Sequence, residues 1–268
     1  MGNQPITDNM QINFSKYQGA GNDFIILDNQ DGSFPMETSL IKKLCDRHFG
    51  IGADGLMLLE SSDNADFYMR YFNSDGNEST MCGNGGRCIT HFANRIGLIK
   101  SSAHFIGIDG DHAANIEAIG IINLKMQDVT EVEVGDGYYF INTGSPHYVC
   151  FVEDVKLIDV NLLGKSIRKS FNLKNGGTNV NFVDLSDGRI HLRTFERGVE
   201  SETLACGTGS VATAIAVNCR LAESKNEYKI QTQGGDLTIK FTKITNSKFT
   251  DIWLRGPATH VFDGYISI

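Results

Sequence analysis

Apolar and polar side chains alternate with a period of two in many short stretches of this chain: INFSKY at 12–17, DFYMRYF at 66–72, GRIHLRTF at 188–195, DLTIKF at 236–241 and DIWLRG at 251–256. Successive strand residues point to opposite faces, so each run predicts a strand with one buried side, and together they read as antiparallel strands. Helical spacing is confined to SLIKKLCDRHF at 39–49, closed by Gly50, then to about 86–98, 160–170 and 209–221. The fold class predicted is a strand-rich, mixed α/β chain. Strands and helices do not alternate over long distances, which argues against a parallel dinucleotide-binding sheet, and no low-complexity segment marks a linker.

The chain is internally duplicated. RYFNSDGNESTMCGNGGRCITHFANR at 70–95 parallels RTFERGVESETLACGTGSVATAIAVNCR at 193–220. In both, an Arg-x-Phe strand end leads through a polar loop, with Glu78 or Glu202 four residues before a cysteine, to Cys-Gly-x-Gly and then a helix. Upstream, AGNDFIILDN at 20–29 has a looser counterpart in TGSPHYVCFVED at 143–154. Two similar domains follow, 1–125 and 126–258, with VFDGYISI at 261–268 read within a last strand, 259–268, that returns to the first domain.

The two Cys-Gly-x-Gly turns are the chemical centre of the sequence. Glycines there allow tight backbone geometry and close ligand approach as a helix begins. The positive end of the helix favours a thiolate at Cys82 or Cys206, and the same amides can hold a carboxylate. If a pseudo-twofold brings the turns face to face, one sulfur removes an α-proton while the other delivers a proton to the opposite face. Neither a metal nor an electron-sink cofactor is needed. Cys45, Cys88, Cys150 and Cys219 read as small core residues. A zinc site is not indicated: Cys82 and Cys88 are six apart, no CxxC occurs and no close histidine pair completes a set. Gly207-x-Gly209-x-x-Ala212 matches a dinucleotide fingerprint in letters only, since a charged polar loop rather than a buried strand precedes it.

Bulk properties narrow the partners. The 268 residues are 41% hydrophobic with a formal net charge of -8 and mixed signs throughout. No basic block offers a footprint for nucleic acid or an anionic membrane, so a small molecule is the expected partner. No run is long enough to span a bilayer, MGNQPITDNM has neither the basic nor the apolar region of a secretion signal, and six cysteines in a chain this long suit a reduced, cytoplasmic protein. The sequence leaves the oligomeric state open, a homodimer being compatible with it.

MCGNGGR at 81–87 and ERGVESETLACGTG at 196–209 resemble diaminopimelate epimerases, as do KYQGAGNDFIILDN at 16–29, RHFGIGADGLMLLE at 47–60, NTGSPHYV at 142–149 and TNVNFV at 178–183. The likeness runs from about residue 12 to the C-terminus, with the blocks in the family's order. It implies two pseudo-symmetric barrel-like domains, each of strands around a central helix, with the site between them. It also implies conversion of LL-diaminopimelate to the meso form without a cofactor, on the route to lysine and peptidoglycan. Cys82 and Cys206 would be the acid and base, with the amides of Gly83, Asn84, Gly207 and Thr208 on the reacting carboxylate. Asn22, Asn73, Asn179, Glu196 and Arg197 would grip the unreacting end, and His147 would adjust the cysteines. Read alone, Asn22 and Asn73 are ordinary loop caps, His147 an ordinary loop histidine, and Glu196 with Arg197 a surface pair. Two positions depart from the family pattern: Ser145 stands where many members have Asn, and Gly55 where some have Gln. The alternatives are a proline or hydroxyproline racemase-type enzyme, which typically carries His where this chain has Asn84, and a redox-sensing or ligand-binding protein that joins Cys82 and Cys206 as a disulfide.

Overall fold

The computed structural model describes residues 11–171 and 176–268. The first half runs β1 (Gln11–Gly19), β2 (Asn22–Asp28), α1 (Thr38–Cys45), β3 (Gly55–Glu60), β4 (Phe67–Asn73), β5 (Glu78–Ser79), α2 (Gly83–Arg95), β6 (Ser102–Gly107), β7 (Gly110–Ala118) and β8 (Ile121–Lys125). After β9 (Val132–Val134) the order repeats: β10 (Tyr138–Asn142), β11 (Pro146–Phe151), α3 (Val160–Ser170), β12 (Asn179–Asp184), β13 (Ile190–Glu196), β14 (Ser201–Thr203), α4 (Gly207–Leu221), β15 (Glu227–Thr232), β16 (Gly235–Lys243) and β17 (Phe249–Pro257). β18 (Thr259–Ser267) ends the chain.

Pairing repeats with the order. β1–β2, β3–β4, β6–β7 and β7–β8 are antiparallel, as are β10–β11, β12–β13, β15–β16 and β16–β17. β2–β3 and β4–β6 are parallel, as are β11–β12 and β13–β15. This corrects the antiparallel reading of the alternating runs: the 66–72 and 188–195 runs, which fall on β4 and β13, each have one parallel neighbour. The crossovers through α1, α2, α3 and α4 make parallel return possible, whereas alternation reports only which face a residue takes.

The halves interlock. β9, which follows β8, lies against β10, and β18, which follows β17, lies against β1, while β8 pairs with β17. The expected returning strand is therefore present, with Gln11 opposite Ser267 and Ser15 opposite Asp263. Asp263 anchors it by accepting from the Ser15 hydroxyl at 2.6 Å and by pairing with Arg95 on α2.

Inside these strands lie α2 and α4. Val211, Ala212, Ala214, Ile215, Ala216 and Val217 are all buried, which makes α4 apolar on every side, as an enclosed helix must be. α2 buries Cys88, Ile89, Phe92 and Ala93. Both start earlier than the periodicity predicts, because each is capped by a cysteine ahead of its glycines and those glycines carry no apolar signal. α1 stops at Cys45 rather than at 49: the Asp46 carboxylate accepts from the His48 and Phe49 amides at 2.7 and 2.8 Å and starts a separate turn. Gly50 does not end this helix; it lies so close to Lys43 that a β-carbon would meet that carbonyl at 2.0 Å. Cys45 and Cys88 are core residues, while Cys150 and Cys219 are half-buried and pack against the core. No helix among the described residues is long and apolar enough to cross a membrane.

Candidate active site

The polar loops before the two cysteines are held by the same device. Arg70 on β4 bonds Glu78 on β5 at 3.0 Å, and Arg193 on β13 grips Glu202 on β14 through two bonds of 2.6 and 2.7 Å. The repeated Arg and Glu of the sequence are thus partners that fold each hairpin and deliver a cysteine to a helix start. Cys82 is the N-cap of α2 and its Sγ accepts from the Gly85 amide at 3.2 Å. Cys206 is the N-cap of α4, its Sγ 3.4 Å from the Thr208 hydroxyl.

The helix starts meet. A β-carbon on Gly207 would lie 3.3 Å from the Gly83 Cα, and one on Gly83 would lie 3.5 Å from the Gly207 Cα. Leu254 supports both, at 2.8 and 2.9 Å from those two β-carbon positions. Only glycine lets the backbones approach this closely, and the contact sets two positive helix ends side by side. Both open on one cleft of about 1120 Å³, room for an extended small molecule and water.

Asn22, Asn73, Cys82, Gly83, Asn84, Asn179, Glu196, Arg197, Cys206, Gly207 and Thr208 all line that cleft. Several are already tied to each other. Asn84 donates to Asn22 Oδ1 at 3.3 Å and to the Ala205 carbonyl at 3.2 Å, joining the halves, and accepts from Arg87 at 2.8 Å. Asn22 donates to Asp54 at 2.6 Å. Asn179 donates to Ser145 Oγ at 2.8 Å and accepts from the Arg197 amide at 2.8 Å. Ser145, the short residue at a departing position, thus has its contact in Asn179. The Glu196 carboxylate accepts from Thr203 at 2.9 Å, and burial raises its pKa.

His147 does not line the cleft. It is fully buried, its Nε2 2.9 Å from Thr208 Oγ1 and its Nδ1 3.0 Å from Asn181 Nδ2. Asn181 also donates to the Tyr148 carbonyl and accepts from Thr194, so its amide nitrogen faces His147. The imidazole therefore accepts at Nδ1 and donates from Nε2 to Thr208, whose own hydrogen is left for the Cys206 sulfur. Desolvation pushes the His147 pKa down to about 3 and keeps the ring neutral. Sequence reasoning missed Asn181, although alternation from Asn179 along TNVNFV puts both on one strand face. It also missed Arg87, wholly buried behind Cys82, where the repeat has Val211, and Tyr71 in the cleft wall.

Electrostatics overturn one expectation. Helix ends were expected to lower the thiol pKa values, but burial dominates. Cys82 is pushed up to about 11, first by desolvation and also by the Glu196 charge, against the Gly85 amide and Arg87. Cys206 is pushed up further, again by desolvation and then Glu196, with the Thr208 hydroxyl opposing. Burial thus holds both thiols above the ordinary cysteine pKa. Among the described residues no group of three or more His, Cys, Asp or Glu is placed to hold a metal ion.

A duplicated, interlocked, strand-rich fold with a central helix in each repeat defines a class that solved structures share. A PhzF-family phenazine biosynthesis protein of Bacillus anthracis matches with a TM-score of 0.75 at 19% identity, covering 97% of this chain and 100% of that one. A hydroxyproline epimerase of Agrobacterium vitis matches at 0.70 and 12% identity, covering 96% of this chain and 93% of that one. At such identities the likeness is one of fold. The sequence is more specific: the chain belongs to the diaminopimelate epimerase family, whose model matches residues 14–134 and 139–261. The diaminopimelate epimerase of Flavobacterium psychrophilum is 52% identical over 250 residues, 92% of this chain and 97% of that relative. That of Chlorobaculum tepidum is 40% identical over 260 residues, 93% of this chain and 99% of the relative.

Proposed function

We propose that Cys82 and Cys206 are the acid and base of an isomerase that converts LL-diaminopimelate to its meso form. The observation that carries this reading is the meeting of two helix starts, one from each half and each with a cysteine at its N-cap position, at a single cleft. A carboxylate seated on the amides of Gly83, Asn84, Gly207 and Thr208 would present its α-carbon to a sulfur on either side. One sulfur, as thiolate, takes the α-proton while the other gives its proton to the opposite face. The charge that builds on the carboxylate is met by fixed amides and two helix ends. The first-turn amides of a helix have no partner within it, so they are available for this.

Binding itself can generate the thiolate. Glu196 is a shared cause of the raised pKa of both sulfurs. A substrate ammonium on Glu196 cancels that charge, and the α-ammonium beside the sulfurs favours ionisation further. His147 acts at one remove, by turning the Thr208 hydroxyl toward Cys206. Arg197 supplies a fork suited to the distal carboxylate, where lysine would offer a point charge. The acidic and basic groups Asp54, Glu196 and Arg197 along the cleft favour a substrate charged at both ends over proline. Six reduced cysteines fit a cytoplasmic site of action.

The test is incubation with LL-diaminopimelate in deuterated water without added cofactor. Deuterium at the α-carbon with appearance of the meso product supports both chemistry and substrate. Active-site titration showing two reduced thiols, with neither deuterium nor product, would overturn the reading.

A further inference from the structure

The two halves differ where β3 and β12 begin. Gly55 at the start of β3 pairs with Asn73. In the other half Asn179 starts β12, and since Val180 pairs with Phe195, Asn179 stands opposite Glu196 in the same register. One half thus presents an amide where the other presents no side chain. The space is not empty. A β-carbon on Gly55 would lie 2.5 Å from Tyr71 Cε2 and 3.0 Å from the Tyr71 hydroxyl, so the phenol occupies the place a side chain at 55 would take. The ring is held edge-on against Phe24 with centroids 6.1 Å apart. Its counterpart in the repeat, Thr194, is buried and spent on Asn181.

Tyr71 is 8% exposed, and what it exposes lines the cleft. No protein group among the described residues hydrogen-bonds its hydroxyl, and the Asp54 and Glu196 carboxylates stand in its surroundings. The ring is buried but the hydroxyl opens on the cleft, where a ligand can hydrogen-bond it. Its surroundings specify the ligand group: the neighbouring carboxylates repel an anion and attract a cation, and a phenol oxygen accepts from an ammonium.

We propose that the Tyr71 hydroxyl, its ring seated over Gly55, is a specificity-determining contact in this chain, accepting a hydrogen bond in the cleft from the unreacting ammonium of the substrate. The assignment rests on the diaminopimelate reading. Tyr71 and Gly55 form one unit: glycine admits the ring, and the ring brings a polar group to a wall that would otherwise lack one.

The test is Tyr71→Phe, which keeps the ring against Phe24 and over Gly55. With LL-diaminopimelate the KM should rise about tenfold while kcat changes little, the pattern of a binding contact held equally in ground and transition states. The inhibition constant of 2-aminopimelate, which has both carboxylates but no distal amine, should stay unchanged. An unchanged KM for LL-diaminopimelate overturns the proposal, and so does an equal shift for both compounds, since the hydroxyl would then touch something other than the ammonium. Wild-type protein that leaves LL-diaminopimelate unconverted would instead sink the functional reading, before any variant is compared.

Discussion

Cys82 and Cys206 occupy matching positions but unequal surroundings. A buried guanidinium stands behind the first, and a neutral histidine reaches the second only through Thr208. Replacing either sulfur, as Cys82→Ala or Cys206→Ala, should lower stereoinversion by at least about a thousandfold, within the range attributed to a positioned acid or base, with little change in melting temperature. Assays of meso product and circular-dichroism melts check both halves of that statement. The raised thiol pKa values give the pH dependence its sign. Because Cys82 ionises only toward about 11, kcat/KM should climb by up to tenfold per pH unit above neutrality, and fall once both sulfurs ionise. A profile flat from about pH 6 to 9 would mean that a thiolate already exists in the free enzyme. The placement of Cys82 and Cys206 at matching helix starts was legible in the sequence because each has a twin in a repeated context. The balance of burial against helix charge was not, because burial depends on what the other half lays over the sulfur. Nor was Tyr71, whose role follows from Gly55 across the sheet rather than from its neighbours in the chain.

Helices α2 and α4 work as a pair because their first residues have no side chains. Gly83→Ala or Gly207→Ala places a methyl against Leu254 and the facing backbone. Either the Leu254 side chain or the helix starts, by a few tenths of an ångström, must then give. Activity should drop on the order of a hundredfold, as expected when reacting groups shift by about 1 Å, in protein that still folds. The check is turnover set beside an unchanged far-ultraviolet spectrum. If activity survives, the contact between helix starts does not set the distance between the sulfurs. At this scale the alternating runs located the strands well, since burial on one face is written in every second residue. Strand direction was illegible, because it depends on which crossover returns to which edge. The start of α2 was missed for a related reason: Gly-Asn-Gly-Gly is poor helix material, and it is helical here because a sulfur caps it and Leu124, Leu254 and the facing glycine pack around it.

Duplication fixed the plan of the whole molecule more firmly than any single motif. It showed two repeats in order, but not that β8 and β17 would pair across them, nor that β9 and β18 would each flank the opening strand of a repeat. Only the last strand left a readable trace. Deleting residues 259–268 removes the partner of β1 and the Asp263 contacts to Ser15 and Arg95, and leaves an unpaired edge on the first half. The truncated chain should lose more than about 10 °C in melting temperature or aggregate, as scanning calorimetry and light scattering would show. A truncation that melts like the full chain would make β18 dispensable. The same closure governs synthesis. While the ribosome is still building the second repeat, β1 has emerged without the strand that covers its outer edge. The first sheet stays incomplete until residues 259–267 emerge, and a sticky edge must be shielded until then.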